Sequence, residues 1–201
     1  MTQEYSSARL DTRNLVDTLK GMTEREVIDK LDRNGVDLEV AIENLDRDFS
    51  MGTIVRTANA FGVRHLHVIG RKQWNKRGAM ATDKYLHVHY YTTTEAFIAS
   101  MNSSDKYVIA VDIVSGASPL SQELLPSNAV LVFGSEGQGI SEQLLDKARK
   151  IVYIPQSGST RSINVAVAAG IAMWEWTKQH ETSVKNRSMS HRGGAAERCI
   201  E

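Results

Sequence analysis

Residues 128–141 read NAVLVFGSEGQGIS. Ala129 to Phe133 are apolar without alternation, and a turn containing Gly134, Gly137 and Gly139 follows at once. A short run that is apolar on both faces fits a strand covered by helices on both sides, as in a parallel sheet. A glycine-rich turn after such a strand usually suggests a phosphate cradle. Glu136 argues against one here, because its carboxylate would repel a phosphate. The segment is neither G-x-G-x-x-G nor a nucleotide-binding P-loop, since no Lys-Ser or Lys-Thr follows. Two readings remain: a tight strand-to-helix turn, or a loop whose backbone amides hold a ligand with hydroxyls, amines or positive charge. Ligands of open α/β sheets do lie beyond the carboxyl ends of the strands.

The same alternation of elements extends in both directions. HLHVIG (65–70), YLHVHYY (85–91), YVIAVDI (107–113) and IVYIP (151–155) read as strands, which with 129–134 makes five. A helical pattern at 51–62 precedes the first of them, others lie between them at 93–101 and 140–150, and a long one at 162–180 closes the series. GASPLSQELLPSN (116–128) reads as a connection. The fold class expected is therefore α/β, a parallel sheet flanked by helices. The helix at 162–180 is apolar all round in its first part and rich in Ala and Gly. It is either central in the domain or shared with a second subunit, and Trp174 and Trp176 are expected to anchor it.

Three regions follow from this pattern. Residues 1–40 form a polar N-terminal extension. In it TEREVIDKLDRNG (23–35) carries a capping box, Thr23 with Glu26, and a stop at Asn34-Gly35. Residues 41–180 form the main domain, and 181–201 a polar tail expected to be disordered. The 201 residues carry 24 basic and 24 acidic side chains, a balance that excludes a uniformly basic binder but not a local basic face. One cysteine, Cys199, cannot make an internal disulfide, so a reducing cytoplasm is the expected setting. No apolar run reaches membrane-spanning length. The pairs His65/His67 and His87/His89 read as half-buried strand histidines, and no metal site is expected.

Two further segments carry chemistry. IPQSGSTRSIN (154–164) is a hydroxyl-rich loop after a strand. Ser162 is a candidate helix cap there, and Asn164 sits in the first turn of an apolar helix, where it needs a specific partner. SMGTIVRTANAFG (50–62) places Arg56 in an apolar stretch, which favours a paired or ligand-facing guanidinium. Separately, RKQWNKRG (71–78) sets Arg71, Lys72, Lys76 and Arg77 around Trp74, with Lys84 beyond. Basic side chains interleaved with an aromatic suit phosphates and base stacking, and Arg64 is a candidate to join them.

Taken in order, SMGTIVRTANAFGV, LVFGSEGQGIS and IPQSGSTRSINVAVAAGIAMWEW resemble the three motifs of the SpoU (TrmH-like) family of RNA ribose 2′-O-methyltransferases, in the SPOUT superfamily. The resemblance covers about residues 40 to 180. One position departs: Ser50 stands where the family usually has Asn, which is longer and carries an amide donor. The resemblance implies an α/β fold with a C-terminal trefoil knot, a feature very rare in proteins, and a homodimer formed through the knot region. It implies S-adenosyl-L-methionine as cofactor, contacted by Gly134, Ile154 and Ile163, with Val111 lining the same pocket. Arg56, Glu136, Ser162 and Asn164 match the family's catalytic positions, and the substrate is tRNA or rRNA. The alternatives are a non-catalytic RNA-binding protein that kept the fold, and a nucleotide-binding enzyme acting on small molecules.

Overall fold

The computed structural model describes residues 15–44, 50–135 and 137–181. Glu136, the polar tail from 182 onward and the first fourteen residues lie outside them. After a 3-10 turn at Asp17–Leu19, the elements run α1 (Glu24–Asn34), β1 (Glu39–Asn44), α2 (Met51–Ala60), β2 (His65–Gly70) and β3 (His87–Tyr91). There follow α3 (Thr94–Ser103), β4 (Tyr107–Val111), β5 (Ser118–Pro119), β6 (Ala129–Phe133), α4 (Glu142–Leu145), β7 (Lys150–Tyr153) and α5 (Val165–Gln179). The strands form one sheet of seven in the order β3-β2-β1-β6-β4-β7-β5, and every pair is parallel. The α/β class expected from the glycine-flanked strand is the one observed.

Burial explains the layers. Leu38, Val40 and Ile42 lie among Ile54, Val55, Ala169 and Met173, so α2 and α5 cover one face of the sheet. Ala41, Val130 and Val132 lie among Phe97, Met101 and Leu144, so α3 and α4 cover the other. β6 is buried along its whole length, as its unalternating apolar run predicts. The third apolar cluster, Leu19, Val27 and Tyr85, attaches α1 to the 3-10 turn at Thr82–Tyr85. The capping box of α1 is present: Glu26 accepts from the Thr23 backbone at 2.8 Å, and Thr23 Oγ1 accepts from the Glu26 N–H.

The structure adds two strands to the five read from sequence. β1 is central, yet its sequence EVAIEN has charged or amide groups at three of six positions, all of them buried. The strand straddles the boundary drawn at residue 40. β5 is a two-residue pairing of Ser118 and Pro119 with β7 inside the proline-containing connection. α4 is shorter than the helix expected over 140–150. It has no room to continue, because the Arg149 N–H already donates to the Val108 carbonyl and Lys150 is in register with Ile109.

Candidate functional site

The carboxyl ends of β1, β4 and β6 lie side by side, and the motif segments gather above them. The turn after β6 is closed on itself. Ser135 and Gly139 exchange backbone hydrogen bonds at 3.2 and 3.0 Å. A Cβ on Gly134 would stand 2.1 Å from the Gly139 carbonyl group, so only glycine fits. Gly137 and Gly139 have φ of +100° and +71°, a region that favours glycine. Asp112, just past β4, takes the Ile140 N–H at 2.8 Å on one oxygen and the Ile113 N–H at 2.7 Å on the other. Glu43, near the end of β1, takes the Ser141 N–H at 2.7 Å and the Ser141 hydroxyl at 2.6 Å. The turn is thus held by a carboxylate from each strand flanking β6.

The starts of α2 and α5 meet beside it. Asn164, not Ser162, caps α5: its Oδ1 accepts from the Ala166 and Val167 N–H groups. Its amide nitrogen then donates to Ser50 Oγ at 3.1 Å. This is the specific partner that Asn164 needed, and it lies at the one position where the sequence departs from the family pattern. The Ser50 hydroxyl, 8% exposed, precedes the first turn of α2. Arg56 lies further along α2, exposed, and among the described residues it makes no hydrogen bond or ion pair. Ser162 is exposed, while Ile154 and Ile163 are partly buried. Val111, at the end of β4, packs against the same core cluster as Ile154.

Two enclosed polar atoms in these loops lack a hydrogen-bond partner: Ser135 Oγ in the glycine turn and Gln156 Oε1 in the loop after β7. A buried polar atom left unpaired costs about 1–3 kcal/mol, and in a native protein it marks strain, a catalytic role or a missing ligand. A ligand bearing hydroxyl, amine and carboxylate groups offers both donors and acceptors to such atoms. Neither residue was singled out from sequence, because a serine or glutamine in a polar loop carries no local signal of enclosure.

The basic segment 71–84 sits against the start of α2. A Cβ on Gly52 would come within 2.8 Å of the Ala79 nitrogen and 2.9 Å of Gly78, so two glycines allow the backbones to touch. Asn44 anchors the other end: its amide donates to the Arg71 carbonyl at 2.5 Å and the Gln73 carbonyl at 3.2 Å. Arg71, Lys72, Lys76, Arg77 and Lys84 are exposed on this segment. Lys76 pairs with Asp83 at 2.8 Å, which holds its ammonium above the usual lysine range. Trp74 is partly buried against the core, its indole nitrogen is enclosed, and the Lys76 ammonium lies 5.5 Å from its ring centre. Tyr90 is the more open ring, 40% exposed with the Lys72 ammonium 5.0 Å from its centre. Arg64 does not join the segment. It is 5% exposed, bonded to Asp32 at 2.7 Å and to the Tyr85 carbonyl, and its charge is spent inside the protein.

The histidines fall at the opposite, amino-terminal end of the sheet. His65, His67, His87 and His89 stack across β2 and β3 with ring centres 5.1–5.3 Å apart. His67 bonds Glu39 at 2.7 Å, and Lys106 pairs with the other Glu39 oxygen at 2.7 Å. Burial of Glu39 works to raise its pKa, but the bonds from His67 and Lys106 outweigh it and hold the carboxyl at about 2. Burial pushes His65 and His89 down, toward the neutral form. A cavity of about 350 Å³ opens here, lined in part by Asp32, Glu39, Arg64, His65, His87 and Lys106. Among the described residues no group of three or more His, Cys, Asp or Glu side chains is placed to hold a metal ion.

A parallel sheet with glycine and hydroxyl loops gathered at its carboxyl edge, beside a basic segment, defines an α/β protein with a ligand site of a kind other than a phosphate loop. The comparisons with known proteins give the particular family. Residues 37–174 match the SpoU rRNA Methylase family, and the chain belongs to it. It is 28% identical over 161 residues to the tRNA (guanosine(18)-2′-O)-methyltransferase of Aquifex aeolicus, covering 78% of this chain and 75% of that one. The crystal structure of the A. aeolicus TrmH/SpoU tRNA modifying enzyme superposes with a TM-score of 0.71 at 25% identity, covering 87% of this chain and 88% of that one. An AdoMet-bound rRNA methyltransferase from Sinorhizobium meliloti gives a TM-score of 0.63 at 26% identity, over 70% of this chain and 56% of that one.

Proposed function

We propose that this protein is an S-adenosyl-L-methionine-dependent RNA methyltransferase that methylates a ribose 2′-hydroxyl of tRNA or rRNA. The observation that carries the reading is the convergence of all three motif segments on one edge of the sheet, with unpaired enclosed polar atoms among them. The residues present fit the cofactor. Gly134, Ile154 and Ile163 offer backbone groups around it, Val111 an apolar wall, and Ser135 and Gln156 polar atoms with unmet hydrogen-bonding capacity. When bound, S-adenosylmethionine supplies the electrophilic methyl group.

The protein's own contribution is alignment and charge stabilisation. Arg56 is exposed and uncommitted to any described partner, which supports a role on the substrate. A guanidinium has five donors and no acceptor, so it serves as a clamp for the target phosphate and a stabiliser of the 2′-oxygen as its proton leaves. Asn164 and Ser50 fix the starts of α5 and α2 relative to each other, and so fix the helix that carries Arg56. Ser162 and Glu136 complete the polar positions of the site. Ser50 Oγ accepts from the Asn164 amide at 3.1 Å, so with serine at this position the two helix starts are still joined.

The RNA face consists of Arg71, Lys72, Lys76, Arg77 and Lys84, with Tyr90 as the exposed stacking ring. The homodimer belongs to the same reading. Val167, Ile171 and Trp174 are 54%, 40% and 53% exposed at helical spacing on α5. Trp176 does anchor the helix, through the Pro126 carbonyl at 2.9 Å, whereas Trp174 lies outside beside Phe61. An apolar stripe of this kind suits a second subunit. A C-terminal trefoil knot, implied by the family resemblance, belongs to the same reading. The setting is the cytoplasm, where such RNAs are modified, and no helix among the described residues is long and apolar enough to cross a membrane. Deleting the gene and mapping 2′-O-methyl nucleotides in total RNA tests the function. Loss of at least one site is expected, and an unchanged map would refute it.

A further inference from the structure

The last two residues of β1 point to a joint that no motif contains. Glu43 and Asn44 are 2% and 1% exposed, and as neighbours on a strand they face opposite sides of the sheet. On one side both Glu43 oxygens are taken by Ser141, at 2.7 and 2.6 Å, 98 positions away in the chain. Ser141 is the cap of α4 and the last residue of the glycine turn. On the other side Asn44 holds the Arg71 and Gln73 carbonyls, and its own carbonyl accepts from the Arg71 N–H at 3.0 Å. A buried carboxylate and a buried amide at the end of a central strand cost free energy that apolar residues would not. Two hydrophobic residues would pack there and leave both loops untethered.

We infer that Glu43 and Asn44 are paired positioning residues, Glu43 for the methyl-donor turn and Asn44 for the basic RNA-binding segment. Being adjacent on one rigid strand, they fix the two binding surfaces relative to each other, which a two-substrate transfer needs for alignment. Neither touches a reacting atom. The inference rests on the proposed assignment of the two surfaces to cofactor and RNA.

The test is a crossed binding experiment on the full chain. Glu43→Gln keeps the shape but removes the charge, and its amide nitrogen, which cannot accept, leaves either the Ser141 N–H unmet or the Ser141 hydroxyl turned round to accept. Asn44→Asp keeps the shape but sets a carboxylate against two carbonyl oxygens. Calorimetry with S-adenosylmethionine and filter binding with an unmodified tRNA transcript mixture give the two dissociation constants. E43Q is expected to weaken cofactor binding about tenfold and RNA binding less than twofold, with the reverse for N44D, the scale of one lost hydrogen bond. KM for the two substrates splits the same way. Where circular dichroism shows either variant unfolded, Ser141→Ala and Asn44→Ser replace them with the same expectation. Both constants moving together in each variant, or neither moving, overturns the inference while leaving the function intact. A wild-type protein that binds neither probe overturns both.

Discussion

The two ends of the sheet differ in how far their polar groups are satisfied. At the amino-terminal end stand four histidines, Glu39, Asp32, Arg64 and Lys106, and all of these but His67 and His89 line the cavity of about 350 Å³. Each of these side chains has a partner: Glu39 holds His67 and Lys106, Asp32 holds Arg64 and His87, and His65 bonds His89 at 3.0 Å. At the carboxyl-terminal end Glu43 and Asp112 are likewise committed, to the glycine turn, but Arg56 is uncommitted among the described residues and Ser135 and Gln156 carry enclosed unpaired atoms. Density of ionisable residues therefore does not mark the working end here. The coincidence of an uncommitted arginine with enclosed unpaired atoms in the motif loops does, since such atoms by themselves also occur at Asn44 Oδ1, Asn59 Oδ1 and Trp74 Nε1 among the described residues.

The largest effect that can break this contrast belongs to Arg56. Arg56→Ala is expected to lower methyl transfer at least about 1,000-fold, the scale of losing a principal electrostatic stabiliser. Its cofactor affinity should stay within a factor of two by calorimetry. Gly134→Val comes next. With a Cβ 2.1 Å from the Gly139 carbonyl, the turn must open. Cofactor affinity should fall by about 100-fold, roughly 2.7 kcal/mol, while RNA binding changes little.

A smaller effect sharpens the basic surface. Replacing Lys72, Lys76 and Arg77 together with alanine should reduce the slope of log affinity against log salt by roughly 2–3, one phosphate contact per lost cation. The same triple replacement should leave calorimetric cofactor binding unchanged. An unaltered slope would move the RNA face elsewhere.

The smallest effect lies at the closed end. His65 and His89 have pKa values lowered from 6.5, chiefly by burial, so they fold as neutral groups. Their contribution is present above pH 6.5 and is lost as pH falls below it. Glu39, held at about 2 against an ordinary 4.5, adds a second loss below pH 4.5. Urea midpoints measured from pH 7.5 downward should fall in these two phases. His65→Asn with His89→Asn should flatten the first phase, and methyl transfer per folded molecule should not change.

Much of this was legible in the sequence where local chemistry fixes structure. The apolar run 129–133 is a buried parallel strand, and Thr23 with Glu26 is a capping box. Only Gly134 fits its turn. What was not legible depends on contacts across long separations. EVAIEN reads as a polar segment because Glu39, Glu43 and Asn44 are buried by partners at His67, Ser141 and Arg71, 27 to 98 positions away. The sequence pattern points to Ser162 as the cap of α5, two residues early, because Asn164 looks already inside the apolar helix, whereas it is the cap itself. Arg64 and Trp74 looked available from their charged neighbourhood, yet one is paired with Asp32 and the other packs on the core. Residue type alone does not tell a committed arginine such as Arg64 from an uncommitted one such as Arg56.

Methyl transfer itself is the most direct measurement. The purified protein is incubated with S-adenosylmethionine labelled in its methyl group and with unmodified tRNA and rRNA. The RNA is then digested to nucleosides and read by mass spectrometry. The account predicts label in a 2′-O-methylated ribonucleoside, present with the wild type and absent with Arg56→Ala. Label on a base, or no label in either RNA although the cofactor binds, would contradict it.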